Sequence, residues 1–153
     1  MSRLELKVPP VVVWIAVALL MWLGARRVPL LGIAWPQRQG VALGVAVVGA
    51  GIAVLGVRAF RRAKTTVNPL HPETMSVLVV GGIYRATRNP MYLGMLLTLT
   101  GWAVWLGDIT PWLLWPGFIA YLNRFQIAPE ERVLAAMFGD DFEMYRSRVR
   151  RWI

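Results

Sequence analysis

Four apolar runs separated by polar breaks organise this chain, over residues 11–24, 41–60, 92–106 and 112–127. A helix of about 20 apolar residues crosses the roughly 30 Å of hydrocarbon in a bilayer, and the second run has that length. The first run is extended by Pro9-Pro10 and closed by Arg26-Arg27. The third and fourth are shorter, and the turn Gly107-Asp108-Ile109-Thr110-Pro111 between them predicts a helical hairpin. Gly44, Gly49, Gly51 and Gly56 give the second run a small-residue face on which another helix can close. The pattern predicts an all-α protein with about four membrane spans: a helix pair in 1–66, then a loop, a hairpin and tail helices in 67–153.

The loop from 61 to 89 departs from this regularity. Pro69, Pro72, Gly81 and Gly82 forbid a continuous helix, and Val77-Leu78-Val79-Val80 is a short apolar run suited to lie against the membrane surface. Irregular backbone beside a bilayer survives where it lines a polar cavity or is covered by protein. Asn89-Pro90 then starts the third helix, because proline disfavours helical geometry at the residue before it and fits the first helical turn. The free amides of that turn suit a carboxylate or phosphate.

The polar groups kept at the helix ends are the candidate chemistry. Tyr84 and Tyr92 each offer an aromatic face and a hydroxyl, suited to an adenine ring, a ribose or a sulfonium cation. The acids of Pro129-Glu130-Glu131 admit two readings. Either they sit in a helix first turn, where the dipole stabilises each by about 0.3–1 kcal/mol, or one turns under the hairpin to meet an amino group or ribose hydroxyls. Their position after an apolar run, on the face that bears Arg85 and Arg88, brings them within reach of one site. Taken singly, Asn-Pro is also a helix cap, the tyrosines interfacial belt residues and the arginines topology anchors. Phe138-Gly139-Asp140-Asp141-Phe142 and Tyr145 predict a tail helix, a Gly-Asp turn and a second short helix, with Arg146, Arg148, Arg150 and Arg151 along the headgroups.

Composition fixes the solvent: 57% hydrophobic residues, 8 Trp and only 16% charged residues describe a membrane protein. The absence of Cys excludes disulfides and thiolate chemistry, and a lone histidine, His71, argues against a zinc site or a histidine triad. Met1-Ser2-Arg3 and Lys7 before an apolar run resemble a signal peptide. The run continues to Gly24 and ends in Gly-Ala-Arg-Arg with no cleavage site before it, which predicts a retained span. With four spans, all basic residues except Arg26, Arg27 and Arg38 share one face, which predicts that this face and both termini are cytoplasmic. The net charge of +9 follows from that topology and suits anionic lipid; no basic patch interleaved with aromatics points to nucleic acid.

The ordered elements Gly82-x-Tyr84-x-x-x-Arg88-x-Pro90-x-Tyr92-x-Gly94, a hairpin, Glu130-Glu131 and Phe138-Gly139-x-x-Phe142-x-x-Tyr145 resemble the isoprenylcysteine carboxyl methyltransferase family and the related bacterial phospholipid methyltransferases. The resemblance covers 68–152. It implies an enzyme of a bacterial inner membrane that takes S-adenosylmethionine from the cytosol and a lipid or other hydrophobic small-molecule acceptor from the bilayer. Carried over by position, the cofactor would meet Ser76, Val77, Leu78, Val79, Tyr84, Asn89, Pro90, Met91, Tyr92 and Glu130. Two positions depart: Asn89 stands where the family mostly has histidine, and Gln126 where the carboxyl methyltransferases carry arginine, with Arg124 nearby.

A sulfonium methyl is already activated, so the transfer needs an acceptor lone pair held about 3–3.5 Å away with water excluded. An amine acceptor must also lose a proton, and Glu131 is the candidate base; Glu131 and Arg88 are the candidate catalytic residues. Two other classes stay open: a membrane reductase related to the sterol reductases that binds NADPH, and a non-catalytic membrane scaffold. Acceptor identity and oligomeric state are not legible in the residues.

Overall fold

The computed structural model describes residues 5–34, 36–66, 68 and 70–153. The charged start Met1-Ser2-Arg3 and the break expected at Pro69 lie outside the described residues. Helices follow in the order α1 (Pro10–Arg27), α2 (Arg38–Arg62), α3 (Pro90–Leu106), α4 (Trp115–Leu122) and α5 (Ala128–Arg148). Among the described residues there is no β-strand, only an isolated antiparallel bridge between Gly32 and Asp108.

Small residues set the closest helix pair. A Cβ added to Gly94 of α3 would lie 2.5 Å from the Gly49 carbonyl oxygen and 2.7 Å from Ala53 Cβ, and one on Gly101 would lie 2.6 Å from the Ala42 carbonyl oxygen. Ala42, Ala46, Gly49, Ala53 and Gly56 recur at helical spacing along α2, so α3 lies against its backbone. Gly44 and Gly51, expected on the same face, look into open space. They fall outside the helical spacing that carries the contact.

α1 and α4 pack on the other side of α3, around Met21, Leu99, Phe118 and Leu122. Indole groups supply polar ties between helices: Trp14 Nε1 donates to the Met95 carbonyl (3.1 Å) and Trp102 Nε1 to the Ala18 carbonyl (3.0 Å). Gly107, at φ 67°, stops α3. The α1–α2 connection pairs with the turn that follows, Ile33 N donating to Gly107 O at 2.7 Å and Ile109 N to Leu31 O at 3.0 Å.

α4 is shorter than the apolar run that contains it. A 3-10 turn, Thr110–Leu114, leads into it and a π-turn, Asn123–Ile127, joins it to α5. Pro129 supplies a cause: it has no N–H to give the Phe125 carbonyl, and Leu6 N donates there instead at 3.1 Å. Nearby, the buried Glu5 carboxylate receives Arg124 at 2.8 Å and Arg132 at 2.6 Å, so the segment before α1 lies across the π-turn. Gly139, at φ 50° and ψ −125°, divides α5 as the Gly-Asp turn predicts.

α1 and α2 are long and apolar enough to cross a membrane, and only 11% and 17% of their most apolar stretches are buried. Leu43, Val47 and Val54 are more than half exposed. Such a surface suits hydrocarbon and not water, unlike the core helix of a soluble protein. α3 is apolar but shorter, with 17 residues.

Candidate active site

The described residues of the 63–89 segment fold back under α2. Thr65 Oγ1 accepts from Ser76 N (2.9 Å) and lies 3.2 Å from Ser76 Oγ, closing the loop at its base. Gly82, at φ 61°, opens the short turn Gly82–Arg85, which turns the Tyr84 ring inward. That ring meets Phe60 edge-on, centroids 5.4 Å apart, and the Tyr145 hydroxyl donates to the Tyr84 carbonyl at 2.7 Å. Burial, with Tyr145 and Glu130 nearby, pushes the Tyr84 phenol far above its ordinary value, so it stays a neutral hydroxyl.

The last residues run beside the entry to α3. Arg88 N donates to Arg150 O (3.0 Å), and Thr87 Oγ1 (3.3 Å) and Asn89 Nδ2 (2.9 Å) both donate to Arg151 O. The Asn89 side chain is thereby drawn to the tail and makes no cap on α3. Helix geometry leaves the Met91 and Tyr92 amides without intrahelical partners, and both residues border the cavity described below.

The adjacent acids have opposite environments. Both Glu131 oxygens are held by guanidinium groups: Arg88 Nη2 donates to Oε1 at 2.7 Å, and Arg151 donates to Oε1 through Nε (3.2 Å) and to Oε2 through Nη2. Burial opposes ionisation of Glu131, but these bonds outweigh it and hold the carboxyl below its ordinary value. Among the described residues, Glu130 has no cation partner. It receives the Tyr92 hydroxyl, and burial, against that hydrogen bond, pushes its carboxyl up to about 8.

These groups surround a cavity enclosing about 760 Å³ of empty space, the open solvent at its mouth included. Every candidate site residue except Ser76, Val77 and Pro90 lies on its lining. Ser76 and Val77 are exposed, and Pro90 is buried against α2, where a Cβ on Gly56 would lie 3.1 Å from its ring. Phe60, Met75, Phe142 and Tyr145 line the cavity in addition. The three-residue spacing of Phe142 and Tyr145 after Gly139 carries the signal for the last two. Phe60 reads in the sequence only as the end of an apolar run. Gln126 is fully buried, donates to the Val8 carbonyl at 2.7 Å and is absent from the lining. Among the described residues no group of His, Cys, Asp and Glu is placed to hold a metal ion.

A family model for phospholipid methyltransferases matches residues 38–141. The chain is 34% identical over 112 residues to a probable protein-S-isoprenylcysteine O-methyltransferase of Oryza sativa subsp. indica, 71% of this chain and 57% of that protein. It is 34% identical over 73 residues to the protein-S-isoprenylcysteine O-methyltransferase of Schizosaccharomyces pombe, 48% of this chain and 31% of that protein. Over 63 residues it is 48% identical to an uncharacterized protein of Haemophilus influenzae, 41% of this chain and 100% of that protein. No solved structure matches the chain. The matched stretch runs from the start of α2, through the cavity-lining turn, the entry to α3 and the paired acids, to just beyond Gly139, and on that footing the chain belongs to the phospholipid methyltransferase family of membrane methyltransferases.

Proposed function

We propose that this chain is an S-adenosylmethionine-dependent methyltransferase that works at the cytoplasmic face of a bacterial inner membrane on a lipid-like or small hydrophobic acceptor. The observation that carries this reading is the convergence of Tyr84, Asn89, Tyr92 and Glu130 on one cavity at the end of an apolar helix bundle. In this reading α3 and the α4 segment complete four spans, and both ends of the chain share the cavity's side with the bulk of the Lys and Arg residues.

The lining suits the cofactor. A carboxylate without a cation, Glu130, is the group for its amino substituent; the Met91 and Tyr92 amides suit its carboxylate; Tyr84, Tyr145 and Phe142 offer faces for adenine and sulfonium. When bound, the cofactor supplies a methyl group already activated for displacement. The chain's own task is to orient the acceptor and exclude water. A lipid acceptor leaves the bilayer only at about 0.8 kcal/mol per methylene, which favours a site at the interface.

Glu131 reads differently once its partners are known. With both oxygens engaged by Arg88 and Arg151, it is a poor base and a good organiser, fixing Arg88 at the cavity and the tail residues beside Asn89. Carboxylate and thiolate acceptors need no base, so the assignment of a methyltransferase does not require one. Gln126, covered by the segment before α1, offers no cation for a prenylcysteine carboxylate.

The test is incubation of the purified protein with methyl-labelled S-adenosylmethionine and a total lipid extract, with mass spectrometry of the labelled product. Calorimetry with S-adenosylhomocysteine and NADPH accompanies it. Labelled lipid together with S-adenosylhomocysteine binding is the expected result; tight NADPH binding without methyl transfer would replace this reading with a reductase.

A further inference from the structure

A second hollow lies outside the cavity, on the other side of the Tyr84 turn. It is bounded by Leu55, Arg58, Ala59 and Arg62 of α2 and by Ile83 and Arg85 of the turn, and encloses about 920 Å³ of empty space, open solvent included. The α2 residues recur at helical spacing, so one face of the helix end presents two guanidinium groups, and Arg85 adds a third from across the groove. None of the three arginines makes an ion pair among the described residues, whereas Arg88, Arg124, Arg132, Arg146 and Arg151 all do. Three like charges around one hollow repel one another unless an anion sits among them.

We infer that this groove binds the anionic headgroup of a phospholipid, as an accessory site distinct from the cavity. The choice of a lipid rests on what adjoins the arginines. Leu55 and Val54, 50% and 54% exposed, continue the groove onto the apolar flank of the longest membrane-crossing helix. A phosphate there therefore has a surface for acyl chains beside it, which a soluble anion would leave unused. Basic pockets at the ends of membrane helices take such headgroups. The lipid held here is not the methyl acceptor, since no residue of the groove lines the cavity. The two sites are back to back: Ala59 and Ile83 face the groove while their neighbours Phe60 and Tyr84, in ring contact, face the cavity. A headgroup drawing Arg58 and Arg85 together braces that shared wall.

The experiment is native mass spectrometry of the full chain released from nanodiscs of equal phosphatidylcholine and phosphatidylglycerol. The wild type retains phosphatidylglycerol preferentially. The combined Arg58→Gln, Arg62→Gln, Arg85→Gln variant loses that preference by about five-fold per arginine, roughly a hundredfold in all. Arg61→Gln, at the same helix end but off the groove, leaves it within about two-fold. Circular dichroism checks folding, and Arg85→Gln alone, with its five-fold loss, carries the test if the triple variant does not fold. Equal retention of both lipids, an equal loss in Arg61→Gln, or displacement of the lipid by millimolar inorganic phosphate would each overturn the assignment, the last by making the ligand a free anion.

Discussion

The Tyr92 hydroxyl donates a hydrogen bond to the Glu130 carboxylate, tying the first turn of α3 to the first turn of α5. It links the uncharged entry of α3 to the helix that brings both acids to the cavity lining, and among the described residues Glu130 is the one of the two without a cation.

With Glu130 as the proposed partner of the ligand's amino group, ligand binding should depend on pH. Its carboxyl is raised from 4.5 to about 8, so below that pH a cationic amino group binds only if Glu130 gives up its proton. S-adenosylhomocysteine affinity should fall about tenfold per pH unit below about 8, with proton release on binding. Calorimetry in buffers of different ionisation enthalpy measures both, and Glu130→Gln should abolish the proton release. The ligand-free protein shows the opposite trend. Because the folded pKa lies above the unfolded one, the stability contributed by the neutral carboxyl is complete below about 4.5 and is lost as the pH rises through about 8.

Tyr92→Phe should move that profile upward. The hydroxyl bonds to the charged carboxylate and so favours it; bonds of this kind contribute about 1.5–3 kcal/mol. Without the bond, Glu130 keeps its proton to a higher pH, and the midpoint of the binding profile shifts toward the alkaline side. An unshifted midpoint would mean that the bond does not act on Glu130 ionisation.

Glu131→Gln tests organiser against base. Removing one member of a buried ion pair strands its partners at a cost of about 3–5 kcal/mol, and the Arg88 and Glu131 side chains are only 11% and 13% exposed. Thermal unfolding should come at a markedly lower temperature, with weaker cofactor binding. A base would instead give normal stability and affinity with a lowered turnover alone.

The α2–α3 contact predicts a contrast between two glycines. Gly94→Ala places a methyl against backbone of α2 and should destabilise by about 1–3 kcal/mol, because the helices must part. Gly51→Ala meets nothing within 4 Å and should be neutral or, through helix propensity, stabilising by about 1 kcal/mol or less. Detergent-solubilised melting curves of the two variants compare them directly.

What the sequence showed and what it hid divide along a physical line. Side chains with strong local rules were legible: Asn89-Pro90 marks the start of α3, Gly107 its end, and Gly139 the kink in α5. The paired acids and the two tyrosines announced themselves as costly polar groups among apolar runs. Contacts made by main-chain atoms were not legible, because a carbonyl carries no residue identity. The pairing of 87–89 with Arg150 and Arg151 is of that kind, as is the hold of Leu6 N on Phe125 O. The small-residue face of α2 was legible in kind but not in membership, since alanines and glycines both serve and only their helical spacing sorts Gly49 from Gly51.

The tail's hold on Thr87, Arg88 and Asn89 orders the protein's birth. α1 and α2, both long and apolar enough to cross a membrane, can enter it while the ribosome is still at work. The chamber's floor must wait for Arg150 and Arg151, which follow all five helices in chain order. A nascent chain therefore reaches the membrane before its chamber closes, and a premature stop near residue 148 would leave that chamber unfinished.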